Sequence, residues 1–175
     1  MKKTNHTYQK DVSWLESTAN LPTKNFMLDT HDRQIFLIRV QNFLNLLGNP
    51  EKKLKFIHLA GTAGKGSTVT VLQNLMVDAD LTVGSYTSPF ATTTIEKLRI
   101  NDKLISPKIL HQIIEDKIKP GLDKYILKYK TETPSYFEIF LCIGFLYFVQ
   151  EKCDWVILEA GLGGTHDATN VIKNP

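Results

Sequence analysis

A glycine-rich segment with a single lysine constrains this chain more than any other feature. The sequence FIHLAGTAGKGSTVTVLQNL, residues 56–75, begins as an apolar β-type run and ends in the three-to-four spacing of a helix. Between the two runs, Gly61, Gly64 and Gly66 surround Lys65. In a strand–loop–helix unit of this kind, backbone N–H groups and the positive end of the helix dipole converge on one point. With the lysine charge added, the natural occupant of that point is a phosphate group.

The alternative is an ordinary strand-to-helix turn, in which the glycines only supply permissive backbone angles. The glycine and lysine content exceeds what such a turn needs. The common phosphate-loop pattern is G-x-x-x-x-G-K-[ST], whereas here Leu59 stands at the first glycine position and Gly66 precedes Ser67. The segment is therefore a variant phosphate loop, and other features must identify the protein.

Length and charge limit the class of protein. The 175 residues suffice for one ordinary domain or for part of a larger protein, and the formal net charge is +3. The lysines between Lys117 and Lys130 alternate with Asp123 and apolar residues, which indicates a solvated helix face, so we expect no nucleic-acid partner. The polar residues 11–20 do not form the apolar centre of a signal peptide. We therefore expect a cytoplasmic protein.

The most apolar part of the chain is the run from Tyr136 to Val149. It is shorter than the ~20 residues of a transmembrane helix and contains Glu138, so we expect a core helix and no membrane partner. Cys142 lies within this run and Cys153 precedes a strand, and neither has a metal-type spacing. Both are predicted to be reduced thiols that are buried or partly buried.

Strands and helices alternate along the sequence, which predicts an α/β fold with a parallel sheet. Ligands bind such sheets beyond the carboxyl ends of the strands. Residues that could bind a ligand follow all three predicted strands, and we expect them to share one edge. The predicted strands are LKFIHLA (54–60), TVGSY (82–86) and DWVILEA (154–160). The predicted helices are Asp32–Leu47, the stretch from the phosphate loop to Asp80, a stretch that begins at Ser106-Pro107 and is interrupted at Pro120-Gly121, and Tyr136–Val149. Residues 91–106 are predicted to form a polar loop with at most one short extended piece.

Two oxygen-bearing residues at this edge could bind magnesium, which a bound triphosphate requires. Glu159 ends an apolar strand and is followed by Gly-Leu-Gly-Gly. The alternative is a charge that only marks a strand end, but the glycine cluster gives no structural reason for it. Ser88 precedes a proline that stiffens its loop, although Ser-Pro turns are common. We therefore predict Glu159 as a metal ligand, and the Ser88 hydroxyl could be a second one.

Five segments together resemble the folylpolyglutamate synthase and dihydrofolate synthase family, a branch of the Mur ligases. They are FIHLAGTAGKGS, VGSYTSPF, EKLRINDKLIS, SYFEIFLCIGFLYF and VILEAGLGGTHDATNVI, and the resemblance as a whole extends from about residue 34 to residue 172. The resemblance implies a phosphate-loop NTPase-like parallel sheet flanked by helices, as in the Mur ligase central domain. Residues 1–175 would be the N-terminal part of that ATP-binding domain. The remainder of the domain and the C-terminal domain would be absent.

The resemblance also implies the reaction, its cofactors and its site residues. ATP and Mg²⁺ would activate a carboxylate of folate or dihydropteroate as an acyl phosphate, which L-glutamate then attacks. Lys65 and Glu159 would be the catalytic residues. The nucleotide would contact Gly61, Thr62, Gly64, Lys65, Gly66, Ser67 and Thr68; the carboxylate substrate would contact Ser135, Tyr136, Phe137, Glu138, His166, Asp167 and Ala168. Glu138 would accept pterin N–H bonds if the backbone does not already satisfy it.

Three departures from the family pattern leave a second function open. Ala63 replaces the usual Asn of GTNGKGS, Thr165-His166 stands where the family more often has arginine and leucine, and ATTTIEK differs from a loop that usually carries Asn-Glu-Arg. The alternative function is a degenerate, non-catalytic nucleotide-binding or interaction module. In either case we expect the chain to be inactive by itself, with a missing C-terminal half or self-association covering its exposed sheet. A peptidoglycan Mur ligase is disfavoured, because only about 60 residues precede Lys65 where a nucleotide-sugar domain of order 100 residues is needed.

Overall fold

The computed structural model describes residues 2–18, 34–129, 133–173 and 175, with the backbone alone for residues 2–6. Within these ranges, helices and strands alternate and build one mixed sheet. The strands are β1 (Phe56–Leu59), β2 (Val83–Tyr86), β3 (Leu98–Ile100), β4 (Lys103–Leu104) and β5 (Trp155–Glu159). The helices are α1 (Lys2–Ser17), α2 (Gln34–Leu46), α3 (Lys65–Asp78), α4 (Pro107–Ile113), α5 (Lys119–Tyr129) and α6 (Tyr136–Gln150), with 3₁₀ turns at Pro50–Lys53, Thr94–Lys97 and Ala168–Val171 and a π-helical turn at Ile114–Ile118.

The sheet has the order β1-β5-β2-β3-β4. The last strand in sequence, β5, lies between β1 and β2 and pairs in parallel with both. Leu59 of β1 stands opposite Glu159 of β5, and Tyr86 of β2 stands opposite Leu158. The carboxyl ends of β1, β2 and β5 therefore lie at one edge, and the predicted parallel arrangement is confirmed for these three strands.

Helices cover both faces of the sheet. Val156 and Leu158 of β5 belong to the large core beneath α6, whereas Ile157 packs in a smaller cluster with Val69 of α3. Successive residues of a strand point to opposite faces, so α6 and α3 lie on opposite sides. On α3, the side chains of Val71 and Leu75 remain exposed, at 60% and 62%.

The apolar helix α6 is a core helix, as predicted. Its buried residues run from Glu138 to Phe145 without a break, and it packs against α1, α2 and α4 as well as the sheet. In the described ranges of the chain, no helix is long and apolar enough to cross a membrane. Cys142 is buried and Cys153 half-buried, and neither forms a disulfide, as predicted.

The predicted interruption at Pro120-Gly121 is wrong. The chain stays helical from Pro107 to Tyr129 because the turn before the proline widens: the Lys119 N–H donates to Ile114 O, five residues back. In an α-helix, the proline ring clashes with the carbonyl group four residues back and cannot donate a hydrogen bond to it. A wider turn moves the backbone apart at this point and so avoids the clash. A Cβ on Gly121 would lie 3.1 Å from Phe43 Cε2 in α2 and 2.9 Å from Leu47 Cδ2 just after it, so this glycine permits close packing of α5 on α2.

Two other elements differ from the sequence prediction. The polar loop at 91–106 contains the Thr94–Lys97 turn and a hairpin of β3 and β4, which extends the sheet in antiparallel pairing. Helix α1 was not predicted. The helix predicted at Asp32–Leu47 is α2, and residues 32–33 of that prediction lie outside the described residues.

Candidate functional site

The glycine loop connects the end of β1 to the first turn of α3. Gly64 caps the helix with φ 75° and ψ 0°, a left-handed conformation that a side chain would strain. Its carbonyl oxygen accepts both the N–H of Thr68 at 3.0 Å and the Thr68 hydroxyl at 2.9 Å. The N–H groups of the preceding residues in the first turn have no intrahelical acceptor, as at every helix start. They can bind an anion, and Thr62 and Ser67 stand exposed beside them.

Lys65 lies at the start of α3 and faces the end of β5. Its Nζ donates to the carbonyl oxygen of Gly61 at 3.1 Å and lies 4.0 Å from Glu159 Oε1. Glu159 is only 5% exposed. A Cβ on Gly66 would stand 3.8 Å from Glu159 Oε2, so the first turn of α3 passes directly over this carboxylate.

The end of β2 completes this edge. The backbone N–H of Ser88 donates to Glu159 Oε2 at 3.2 Å, and the Ser88–Pro89 peptide is cis. The ends of β1, β5 and β2 thus bring Lys65, Glu159 and Ser88 together, as the sheet argument predicted. A carboxylate and a hydroxyl are hard oxygen ligands of the kind that Mg²⁺ prefers, so the side chains fit a magnesium site.

The segments predicted to bind the carboxylate substrate meet at Gly161, just beyond β5. A Cβ on Gly161 would lie 3.1 Å from both Phe137 Cζ and Asp167 Oδ2. Phe137 belongs to the first turn of α6 and packs edge-on against Tyr86, with ring centroids 5.7 Å apart. The start of α6 and the 165–168 segment are therefore neighbours at the same sheet edge as Lys65.

Asp167 is the centre of the turn that follows β5. Its Oδ2 accepts from the Leu162 N–H at 2.8 Å, and its Oδ1 accepts from both the N–H and the hydroxyl of Thr169, at 2.9 and 2.6 Å. Ala168 is buried, and His166 is half-buried with no hydrogen-bond partner for Nδ1 among the described residues. Asp167 therefore shapes the loop around it.

Glu138 does not meet the condition under which it would bind a ligand. Its Oε2 accepts from the Ser135 N–H at 2.6 Å, which closes the capping box of α6, and Arg39 donates to both carboxylate oxygens at 2.8 Å. Glu138 is 1% exposed, and burial raises its pKa despite the Arg39 charge. Both oxygens are satisfied within the protein, so Glu138 anchors the start of α6 to α2.

A buried cation lies next to Tyr136 and was not predicted from the sequence. The Nζ of Lys97 lies 4.4 Å from the ring centroid of Tyr136 and 5.3 Å from those of Phe90 and Phe140. The Tyr136 hydroxyl is 3.4 Å from this Nζ and hydrogen-bonds to the Thr94 hydroxyl. Burial lowers the pKa of Lys97 to about 8. A lysine in a polar-looking loop gave no sign of this burial in the sequence.

His58 in β1 was not predicted as a site residue either. Its Nε2 lies 2.9 Å from the Thr169 hydroxyl, which joins the strand before the glycine loop to the turn around Asp167. The only signal in the sequence was a polar residue within an otherwise apolar strand.

Comparison with known proteins identifies the family. The dihydrofolate synthase/folylpolyglutamate synthase of Bacillus subtilis is 38% identical over 136 residues, which are 77% of this chain and 31% of that protein. The folylpolyglutamate synthase structure from Thermotoga maritima aligns with a TM-score of 0.73 and 40% identity, over 78% of this chain and 32% of that one. The chain belongs to the folylpolyglutamate synthase and dihydrofolate synthase family.

Within this family, the chain spans about a third of the length of the relatives that it matches. A folylpolyglutamate synthase solved as a complex with AMPPCP and folate aligns with a TM-score of 0.82 and 28% identity, over 94% of this chain and 38% of that one. The α/β fold predicted from the resemblance is therefore confirmed. A scan against models of protein families found no match.

Proposed function

We propose that this chain binds the nucleotide and the carboxylate substrate in an ATP-dependent ligase that joins L-glutamate to folate or dihydropteroate. The proposal rests on one observation above all: Lys65, at the first turn of α3, lies 4.0 Å from the buried carboxylate of Glu159 at the end of β5. A cation, a helix start and a carboxylate at one sheet edge suit a bound triphosphate and its metal ion.

In the proposed reaction, a carboxylate oxygen of the folate or dihydropteroate attacks the γ-phosphorus of ATP and releases ADP. The product is an acyl phosphate. The amine of L-glutamate then attacks the acyl carbon, phosphate leaves, and an amide forms. Lys65 and the first-turn N–H groups of α3 would neutralise the phosphate charge and hold the phosphoryl group in position.

Within this proposal, Glu159 and the Ser88 hydroxyl would hold Mg²⁺, which adds positive charge at the transferring phosphate. The Ser88 N–H already bonds to Glu159 Oε2, so the two residues are held next to each other before any ligand binds. Gly61, Thr62, Gly64, Gly66, Ser67 and Thr68 would surround the phosphates.

We place the pterin or folate between the start of α6 and the 166–168 segment. Two observations support this location: Phe137 and Asp167 both lie against Gly161, and the Phe137 ring offers a flat apolar contact. Tyr136 and Ser135 lie in the same turn of α6, with His166 and Ala168 across the gap. Titration with folate and with dihydropteroate, each in the presence of ATP, would show which of the two this chain prefers.

Because the chain spans about a third of the length of its relatives, we propose that it binds ATP and Mg²⁺ weakly and does not turn ATP over by itself. Calorimetry with ATP and a phosphate-release assay test this. Glutamate-dependent ADP formation by the chain alone would overturn the claim of inactivity.

The first test is Lys65→Ala. It removes a charged donor from the first turn of α3 without touching the apolar core, so we expect nucleotide affinity to fall roughly 10- to 100-fold while the fold remains intact. Lys53→Ala is the matched control, because Lys53 is exposed and precedes the other end of β1. If Lys65→Ala unfolds the protein or leaves nucleotide affinity unchanged, the phosphate role of Lys65 is wrong.

The second test, Glu159→Gln, concerns the metal. The amide keeps the size of the side chain but loses the charge that would bind Mg²⁺, so we expect the dependence of ATP affinity on magnesium to weaken. Calorimetric titrations with and without Mg²⁺ measure this dependence. An unchanged dependence on Mg²⁺ in this variant would remove Glu159 from the metal site.

A non-catalytic nucleotide-binding module is the second proposal, and Ala63 favours it, since an amide that could pin the loop is missing. The two proposals differ in their carboxylate substrate. A ligase of this type binds folate or dihydropteroate beside the nucleotide, whereas a module that lost the chemistry would bind ATP alone. Substituting Ala63→Asn should strengthen ATP binding if the missing amide weakens the loop.

A further inference from the structure

A chain of hydrogen bonds runs from β1 to the turn after β5. His58 Nε2 lies 2.9 Å from Thr169 Oγ1, and Thr169 Oγ1 lies 2.6 Å from Asp167 Oδ1. Thr169 is fully buried and Asp167 is 8% exposed, so water does not replace these partners. The path crosses from the strand that leads into the glycine loop to the segment against Phe137.

The direction of each bond follows from the donors available. A carboxylate oxygen only accepts, so the Thr169 hydroxyl donates its proton to Asp167. The Thr169 oxygen must then accept from His58, which requires the proton on Nε2. This order is the reverse of a hydrolytic triad, in which the histidine accepts the proton of the hydroxyl. Thr169 thus connects the orientation of the His58 ring to that of the Asp167 carboxylate, and it is not an activated nucleophile.

We propose that His58 is a positioning residue for Asp167, acting through Thr169. The inference rests on the proposed function. In that function, β1 leads into the glycine loop that would hold the nucleotide, and Asp167 shapes the loop that would hold the pterin, so the hydrogen bonds through Thr169 connect the two binding loops. By the same bonds, Asp167 Oδ2 holds the Leu162 N–H at 2.8 Å. The two halves of the site are therefore joined by a path of side chains as well as by the pairing of β1 with β5.

Burial supports a single arrangement of this path. Desolvation lowers the pKa of His58, and the nearby charge of Asp167 opposes that effect. The neutral imidazole carries one N–H, and this N–H donates a hydrogen bond to the Thr169 oxygen. Any rotation of the ring that removes Nε2 from Thr169 would leave the hydroxyl oxygen without its donor in a buried place, at a cost typical of an unsatisfied polar group.

Two ligand-free measurements on the whole chain test the positioning role. Nitrogen-15 NMR of the imidazole should show the Nε2–H tautomer of His58 at neutral pH. Hydrogen exchange should show the Leu162 and Thr169 N–H groups protected, and Thr169→Val should raise their exchange rates about tenfold, as expected when one buried hydrogen bond is lost.

Conservative variants separate positioning from general damage. Thr169→Ser keeps the hydroxyl and His58→Gln keeps a donor near Nε2, so both should retain the slow exchange, whereas His58→Leu should behave like Thr169→Val. Exchange within β2 should not change in any of the four. An Nδ1–H tautomer, or equal exchange rates in Thr169→Val and the wild type, would overturn the proposal.

The ligand arm uses folate and ATP with Mg²⁺ as probes, each titrated into the wild type and Thr169→Val. We expect folate affinity to fall about tenfold and ATP affinity to change less than about twofold. An equal loss of both affinities would contradict a role confined to Asp167. If the wild type binds neither probe, the proposed function fails, while the tautomer and the exchange rates still decide the role of His58.

Discussion

At the scale of single residues, Lys97 is an ammonium group almost removed from water. It is 5% exposed, and no carboxylate of the described residues lies within salt-bridge distance of its Nζ. The faces of Phe90, Tyr136 and Phe140 offer cation–π contacts that offset part of the lost hydration. The position joins the Thr94–Lys97 turn to the start of α6, so its charge state bears on the stability of that junction.

The pKa of Lys97 predicts how stability depends on pH. Burial lowers this pKa from 10.5 to about 8, so between these values the unfolded chain binds more protons than the folded protein. Stability should therefore rise with pH through this window, because the folded protein no longer has to bury a charge. We expect the urea midpoint of the wild type to rise relative to that of Lys97→Met between about pH 7 and about pH 10.

The Lys97→Met variant is the control for the wild type, since it keeps every other titrating group and its side chain fills a similar apolar space. Comparing the two proteins at each pH cancels the contributions of the other lysines, tyrosines and cysteines. Parallel pH profiles for the two proteins would show that Lys97 has an ordinary pKa and that the aromatic surroundings fully compensate its burial.

At the scale of elements, the buried pair of Arg39 and Glu138 fixes α2 to the start of α6. Both side chains are nearly inaccessible, at 4% and 2% exposure. Arg39→Met would leave the Glu138 carboxylate buried without its cation, and breaking such a pair costs roughly 3–5 kcal/mol of the free energy of unfolding. Urea unfolding at neutral pH measures the loss.

The double variant Arg39→Met with Glu138→Leu separates charge from packing. Removing both charges should recover part of the stability, because no uncompensated ion remains, although the capping bond to the Ser135 N–H is lost as well. A double variant as unstable as the sum of the two single variants would mean that the two side chains act independently.

Some elements of the structure could be predicted from the sequence and others could not. The three parallel strands, α3 and α6 were predictable because each carries a long or strongly periodic apolar pattern. The hairpin of β3 and β4 was not, because strands of three and two residues are too short for a period to show. Its turn lies at Asn101, whose φ of 55° fits the tolerance of asparagine for the left-handed region.

For the candidate site, the sequence could predict which residues lie at the sheet edge but not what each one contacts. The meeting of Lys65, Ser88 and Glu159 followed from strand ends alone. Helix α5 was misjudged because Pro120 and Gly121 break most helices, and only the wider turn at Ile114–Ile118 accommodates them. The bonds of Glu138 and His58 depend on partners about 100 residues away, Arg39 and Thr169, which no local pattern reveals.

At the scale of the whole molecule, the parallel part of the sheet depends on β5. Phe56 of β1 pairs with Val156, and Val83 of β2 pairs with Trp155, so neither β1 nor β2 has a parallel neighbour until β5 is in place. In pulse-labelled refolding, the N–H groups of β1 should become protected no earlier than those of β5. Protection of β1 well before β5 would show that the glycine loop is held by α3 alone.

The central position of β5 also has a consequence for synthesis on the ribosome. The chain emerges from its N-terminus, so the glycine loop and Lys65 leave the ribosome long before Glu159 and the strand that holds it. Until then, β1 and β2 lack the strand between them, the apolar face of α6 lacks part of the sheet beneath it, and these apolar residues are exposed to solvent. We therefore expect nascent chains stalled after α6 to bind chaperones, and release past residue 159 to abolish that binding.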